Sequence, residues 1–457
     1  MPGPTSSPKL KILIALTALV ALAFAASAVV AKPAKTKTTR LSVKAKGKEV
    51  KAASADFPAL SADGRYVAFE AFGQLVSKDK DMSLDVYLYD RTKKKNTLIS
   101  VKSNGSAGQN IGCGVADIAP HARYVSFACD GALVSDGTND LEDVYRHDLK
   151  TGKTIRVSLN GSDNQLTGIN DASEISGVAD DSRVAWESYG AFVGNDTNTA
   201  YDIFVRDSKK GTTLRATQDY QNQQLPNGTS ALSPTKQSKI AISGNGKFVA
   251  FPSSDPATAD PDYGMAVDSD VFVRNIDKKV TTRVSVKTNG DEASSSQNAP
   301  SNTPSISANG RYVAFQADPA TAFTGKDTNN DYDIYVRDRK KGKTSLASVK
   351  SNGKQATPSG LAPQYPEISP NGRYVAFDTG ANYGGGNDPG GFRDVYRRDL
   401  TKKKTKLVSL KTNGGRADTN QLADPSNNGW VTFSSMGKLT SGDDGNDFDV
   451  FLRGPLK

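Results

Sequence analysis

Two short apolar patterns recur along the chain in register. The first alternates in polarity and closes on an aromatic residue: Arg65-Tyr66-Val67-Ala68-Phe69, Arg123-Tyr124-Val125-Ser126-Phe127, Arg183-Val184-Ala185-Trp186, Lys247-Phe248-Val249-Ala250-Phe251, Arg311-Tyr312-Val313-Ala314-Phe315, Arg373-Tyr374-Val375-Ala376-Phe377 and Trp430-Val431-Thr432-Phe433. The second is Asp85-Val86-Tyr87, Asp143-Val144-Tyr145, Asp202-Ile203-Phe204, Asp270-Val271-Phe272, Asp333-Ile334-Tyr335, Asp394-Val395-Tyr396 and Asp449-Val450-Phe451. A period of two, carried by β-branched and aromatic residues, predicts strands for both columns. The closing aromatics lie 58, 59, 65, 64, 62 and 56 residues apart, and the second column follows the first by 16 to 19. The chain is therefore seven copies of one unit.

Each unit supplies four strands. Strand A is short, as in Tyr365-Pro366-Glu367-Ile368-Ser369, and the turn Pro370-Asn371-Gly372 leads to strand B, the first column. A longer polar loop leads to strand C, the second column. A basic hairpin such as Asp338-Arg339-Lys340-Lys341-Gly342-Lys343 turns into strand D, read as Thr344-Ser345-Leu346-Ala347-Ser348-Val349. Four antiparallel strands per unit with no helix between them predict an all-β, seven-bladed β-propeller. The seventh unit stops after strand C, while Thr39-Arg40-Leu41-Ser42-Val43-Lys44 near the start matches the strand D of Thr282-Arg283-Val284-Ser285-Val286-Lys287. The N-terminal strand is expected to complete the last blade and close the ring, removing exposed sheet edges.

The turns Leu60-Ser61-Ala62-Asp63-Gly64-Arg65, Ile306-Ser307-Ala308-Asn309-Gly310-Arg311 and Ile368-Ser369-Pro370-Asn371-Gly372-Arg373, each before its Tyr-Val-Ala-Phe strand, resemble the WD40-like repeats of TolB-type periplasmic propellers. The resemblance spans residues 39–457 and implies the propeller fold and an exported, non-enzymatic binding role. TolB proteins look different in carrying an additional α/β domain and six blades.

Charge changes the picture only once it is located. The chain has 58 Lys and Arg against 49 Asp and Glu, a formal charge of +9. Ten of those cations and a single acid, Glu49, fall within residues 1–51, so the remainder holds 48 of each sign. A neutral body argues against a nucleic-acid partner. Residues 1–31 read as a secretory signal: Lys9 and Lys11 precede an apolar run from Ile12 to Ala26, and Ala26-Ser27-Ala28 offers a small-residue cleavage site. The alternative is an uncleaved anchor, because apolar character continues to Ala31, and only then is a membrane a partner. Residues 32–38 follow as a basic linker, and 39–457 as the propeller. Localisation is expected to be secreted, periplasmic or envelope-associated. Cys113 and Cys129 flank one predicted hairpin and are expected to form a disulfide, with a reactive or metal-binding pair as the rival reading.

The B–C loops carry the candidate chemistry. Asp79, Asp81, Ser83 and Asp85 alternate in blade 1, and Asp327, Asn329, Asp331 and Asp333 alternate in blade 5. Blade 7 offers Asp443, Asp447 and Asp449, and blade 3 offers Asp196, Asn198 and Asp202. Oxygen ligands at alternate positions of a tight loop are how a protein collects Ca²⁺, although the Gly and Glu of an EF-hand are missing. Solvated turns that bond their own backbone are the plainer reading.

The two histidines, His121 in an A–B turn and His147 on a half-exposed strand C, cannot build the histidine-rich metal site of propeller lyases. No Gly-x-Ser-x-Gly elbow is present. The aromatics of strands B and C read as packing. The favoured function is a monomeric, non-enzymatic scaffold with no assigned catalytic residue. It would engage a protein or cell-wall polymer through the face bearing the D–A connections and B–C loops. The alternatives are a polysaccharide hydrolase or lyase, needing an asymmetric group of acids at the central channel, and a calcium-stabilised adhesion or lectin-like module.

Overall fold

The computed structural model describes residues 36–456, apart from 45–46, 49, 51–53, 109, 136–140, 167–172, 227, 229–239, 255–268, 292–300, 319–322, 385–391, 417–418, 444 and 446. The predicted leader, and the linker up to residue 35, lie outside the described residues. The described residues form 28 strands and no α-helix, arranged as seven four-stranded antiparallel sheets.

The innermost strands, A, are Ala55–Leu60, Cys113–Ile118, Ser173–Val178, Ala241–Ile242, Ser301–Ile306, Gln364–Ile368 and Asn420–Pro425. Strands B are Tyr66–Phe72, Tyr124–Cys129, Arg183–Ser188, Phe248–Ser253, Tyr312–Ala317, Tyr374–Thr379 and Val431–Ser435. Strands C are Leu84–Asp90, Asp143–Asp148, Asp202–Asp207, Asp270–Asn275, Asp333–Asp338, Asp394–Asp399 and Asp449–Gly454. Strands D are Lys95–Leu98, Lys153–Arg156, Thr212–Arg215, Val280–Arg283, Lys343–Leu346 and Lys404–Leu407, and in the seventh blade Lys37–Arg40. The fold is the expected seven-bladed propeller, closed by Lys37 opposite Gly454 through Arg40 opposite Phe451.

Strand D is shorter than its apolar pattern suggests. In blade 5 it ends at Leu346 rather than Val349, because the Ala347 and Ser348 amides converge on one acceptor, the Ile334 carbonyl, at 2.7 and 3.3 Å. In the closing blade it covers Lys37–Arg40 rather than 39–44. The ring thus begins two residues before the boundary read from sequence.

The core lies between blades. The closing aromatic of strand B sits 5.8 to 6.2 Å from the aromatic of strand C in every blade, from Phe69 with Tyr87 to Phe433 with Phe451. All fourteen rings are essentially removed from solvent, which fits the packing role. Neighbouring blades are also clasped by hydrogen bonds. The hydroxyls of Thr154, Thr213, Thr281, Thr344, Thr405 and Thr38 on strand D each donate to a carbonyl just after strand D of the preceding blade. Asn96 does the same in blade 1 with its amide, to Leu41 and Val43 of the closing blade.

Candidate functional site

Every strand C carries an aspartate at its first position, or at its second in blade 1, and each accepts a hydrogen bond from a hydroxyl that follows strand D. The donors are Ser100, Ser158, Thr217, Ser285, Ser348, Ser409 and, for Asp449, Ser42. The same hydroxyl accepts the amide of the residue after the aspartate at 2.9 to 3.2 Å. Serine and threonine carry one donor and two acceptor lone pairs, so one side chain closes both ends of the C–D hairpin.

What reaches the second carboxylate oxygen differs between blades. An arginine does so in five: Arg156 to Asp143 at 3.1 Å, Arg215 to Asp202 at 3.6 Å, Arg283 to Asp270 at 3.3 Å, Arg416 to Asp394, and Arg40 to Asp449 at 3.0 Å. In blade 5 the amide of Gln355 does so, donating to Asp333 at 2.7 Å and to Asp327 at 3.0 Å. Blade 1 has Leu98 where Arg156 stands. It has Ala107 where Arg416 stands, both bridged across the same turn. Among the described residues no cation or amide side chain bonds to Asp85.

The B–C loops sort along the same line. Asp79, Asp81 and Asp85 come together with one oxygen of each within 4.8 Å, and among the described residues no other three acidic, His or Cys side chains do so. Ser83 contributes its amide to Asp81 at 2.9 Å, and the Asn110 amide takes the other Asp81 oxygen at 2.8 Å. The Tyr87 hydroxyl donates to Asp79 at 2.5 Å.

In blade 5, Tyr335 donates to Asp327, Asn329 accepts the Asp331 amide at 3.4 Å, and Gln355 joins Asp327 to Asp333. In blade 7, Arg40 lies 3.0 Å from Asp449 and 3.7 Å from Asp443, and Asp447 does not complete a three-carboxylate group with them. In blade 3, Arg215 lies between Asp196 at 3.2 Å and Asp202, while Asn198 donates to the Leu225 carbonyl.

Proton affinities follow these partners. Burial pushes Asp202 and Asp449 up to about 6, with Arg215 and Arg40 opposing the rise. Burial, reinforced by Asp79 and Asp81, pushes Asp85 up to about 7; burial, with Asp327 and Asp331, pushes Asp333 to about 8. Of these four, the two without a neighbouring cation are pushed furthest.

Several polar groups around the channel carry no motif that sequence could flag. At the end bearing the A–B turns, the channel narrows to a cavity of about 80 Å³, lined by Leu60, Ile118, Val178, Ile242, Ile306 and Ile368 from six successive blades. Acids there bond across blades: Asp424 accepts the Leu60 amide at 2.8 Å and Asp117 the Val178 amide at 2.9 Å, while Glu367 accepts from Ser305 Oγ at 2.7 Å. Glu70 accepts the amide of Val115 at 2.6 Å. Val115 is a β-branched residue at φ 50°, and Phe57, Thr303, Tyr365 and Leu422 occupy the same left-handed region on their own strands A. That conformation is costly for bulky residues and occurs here at the bulge of each strand. Asp378, fully buried in blade 6, accepts from Gln364 and Arg393 at 3.1 Å each and is pushed by burial up to about 7.

Cys113 and Cys129 face each other in register and are joined by a disulfide. His121 is exposed and pairs with Asp180 at 2.7 Å. His147 corrects the half-exposed reading: it is 6 % exposed and bonded to Thr154 Oγ1 at 2.9 Å, because its strand faces the preceding blade.

No protein-family model matches the chain, and no curated protein matches it in sequence. Among solved structures it is similar to an oligogalacturonate lyase from Vibrio parahaemolyticus, with 12 % identity over 93 % of this chain and 95 % of that one and a TM-score of 0.51. A putative TolB from Agrobacterium tumefaciens also matches, at 14 % identity over 81 % and 98 % of the two chains and a TM-score of 0.41. So does the β-propeller domain of the Trilobed protease from Pyrococcus furiosus, at 12 % identity over 90 % and 95 %, with a TM-score of 0.48. What the chain has in common with the lyase at this identity is the propeller fold.

Proposed function

We propose that this chain is an exported, non-enzymatic binding scaffold of the cell envelope or extracellular space, engaging a protein or cell-wall polymer through one face of the disc. The observation that carries the reading is an asymmetry of loop length. The seven A–B turns and six C–D hairpins have four or five residues each, as in 61–65 and 91–94. The B–C loops run from 11 residues (73–83) to 16 (254–269), and the D–A connections from 12 (408–419) to 25 (216–240). A rigid scaffold elaborated on one face alone presents its variable loops there. The bonding of Asp117, Glu367 and Asp424 into blade-to-blade contacts further favours a scaffold over hydrolysis at the channel. To test it, a variant with residues 352–363 replaced by a short Gly-Ser turn is compared with wild type for binding to isolated wall polymer and envelope proteins. Loss of a bound species in the variant supports the reading. Release of new reducing ends from wall polysaccharide, abolished by Asp378→Asn, would establish a hydrolase instead.

A second reading adds one Ca²⁺ in the B–C loop of blade 1, and a specific observation favours it there rather than in blades 3, 5 or 7. Among the described residues, Asp79, Asp81 and Asp85 gather without the arginine or glutamine that serves the equivalent aspartate elsewhere. Such an ion would rigidify the loop face. A thermal melt with and without millimolar Ca²⁺ tests it.

A further inference from the structure

The two faces of the disc differ in charge as well as in loop length. The six C–D hairpins and the first residues of the strands D they lead into carry fifteen exposed lysines, from Lys150 and Lys153 in blade 2 to Lys402, Lys403 and Lys404 in blade 6. Of these, Lys210 alone has a carboxylate within 4.0 Å among the described residues, Asp207 at 3.5 Å. The acids nearest the hairpins are already engaged: Asp90, Asp148, Asp338 and Asp399 take the side chains of Arg65, Arg123, Arg311 and Arg373 at 2.6 to 2.8 Å. The rim is therefore cationic, although residues 52–457 are neutral as a whole. In a four-stranded meander successive turns alternate between the two ends. The balancing carboxylates of the B–C loops thus stand on the opposite face.

Two further features belong to the same rim. The polypeptide joins the ring at Lys37, opposite Gly454, where strand C of the closing blade ends. The residues just before it in sequence include Lys32 and Lys35, following the apolar run to Ala31. The seam between blades 1 and 2 opens into a cleft of about 610 Å³ that starts at this rim with Lys93, Lys95 and Lys150 and runs to Lys78 and Gly105 on the long-loop side, with His147 replacing the arginine found in blades 3 to 7.

We propose that the lysine rim docks on an acidic lipid surface, turning the long-loop face outward. The proposal takes the envelope location from the scaffold reading above. A flat ring of cations at six blades matches a planar anionic surface, which meets all of them at once. A linear polyanion would reach two or three blades at a time.

The test is co-sedimentation of the full chain with vesicles of phosphatidylcholine, alone or mixed with phosphatidylglycerol. Binding is expected with phosphatidylglycerol only, and should fall steeply between roughly 0.05 and 0.5 M NaCl. The variant K93Q/K94Q/K95Q/K402Q/K403Q/K404Q, checked for an unchanged melt, is expected to lose at least about a hundredfold in affinity. The loop-face variant K350Q/K354Q should bind as wild type.

Equal binding by the six-lysine variant overturns the proposal, as does equal binding to phosphatidylcholine, which would assign attachment to the apolar leader. Binding of soluble polyphosphate without vesicle binding overturns it in favour of a polymer site. None of these outcomes touches the loop-face partner, which the 352–363 variant scores separately.

Discussion

His147 stands in blade 2 where Arg206 stands in blade 3, each at the fifth position of a strand C that opens on aspartate. Arg206 donates to the Asn160 carbonyl and to Thr213, clasping the preceding blade, whereas among the described residues the His147 ring bonds only to Thr154 on its own blade. The histidine fits this buried place as a neutral ring: burial pushes it down to about 4, with Asp148 opposing and Lys78 adding to the shift. The unfolded chain binds that proton near its ordinary 6.5, so stability is lost as pH falls from about 6.5 toward 4. The loss is expected to be on the order of 3 kcal/mol. Urea melts at pH 7, 5 and 4 should show His147→Gln gaining on wild type as the solution is acidified.

Asp333 has the opposite sign. Raised to about 8 in the folded chain, it contributes stability that is present below its ordinary 3.8 and lost as pH rises through the folded value. Asp333→Asn removes the titration. The wild type should lose stability relative to this variant between pH 5 and pH 8, by denaturant melts at each pH.

Blade 1 can be given the device that blade 6 already has. Ala107→Arg places a guanidinium at the position of Arg416, within the turn that faces Asp85. We expect the variant to melt at a higher temperature than wild type in chelator, and to lose any rise that Ca²⁺ produces in wild type. Asp81→Asn should lose the Ca²⁺ response without gaining stability. Coincident wild-type melts with and without Ca²⁺ would remove the cation from blade 1.

Arg40 is 7 % exposed and bonds Asp449 at 3.0 Å and the Gly442 carbonyl at 2.9 Å, far away in sequence. Arg40→Ala leaves the buried Asp449 carboxylate without its cation and should cost about 3–5 kcal/mol. Arg40→Ala combined with Asp449→Asn should recover part of this loss. A guanidinium melt of the two variants checks the coupling.

The bond between Cys113 and Cys129 closes a loop with a sequence separation of 16. Cys113→Ser with Cys129→Ser is expected to cost about 3 kcal/mol. Both sulfurs are buried, so reductant added to the native protein should act slowly, and the difference should appear in melts of protein reduced while unfolded.

The blade count, the strand order and the closing strand were legible because each residue of the two columns repeats a local rule seven times. The aspartate column was legible as a repeat, but its partner was not. Ser100 lies fifteen residues beyond Asp85 and looks like any turn serine until the C–D hairpin folds it back. The metal candidates show the same limit more sharply. Blades 1, 3, 5 and 7 share alternating oxygens, and what separates them is Leu98, Arg215, Gln355 and Arg40, residues of other strands or the far end of the chain. The bulges of strand A were illegible for another reason. Val115 and Thr303 at positive φ contradict their own conformational preference and are held there by pairing across the blade.

The closing strand makes the propeller a test of its own completeness. Thr38 and Arg40 leave the ribosome 415 and 409 residues ahead of their partners Arg453 and Asp449. A chain that emerges amino end first must keep that strand unpaired until residues 449–454 have been made. A chain stopped before Asp449 has no strand C in blade 7 for it to join. It would present two open sheet edges and a stranded arginine, a form that quality-control proteases can distinguish from the finished ring.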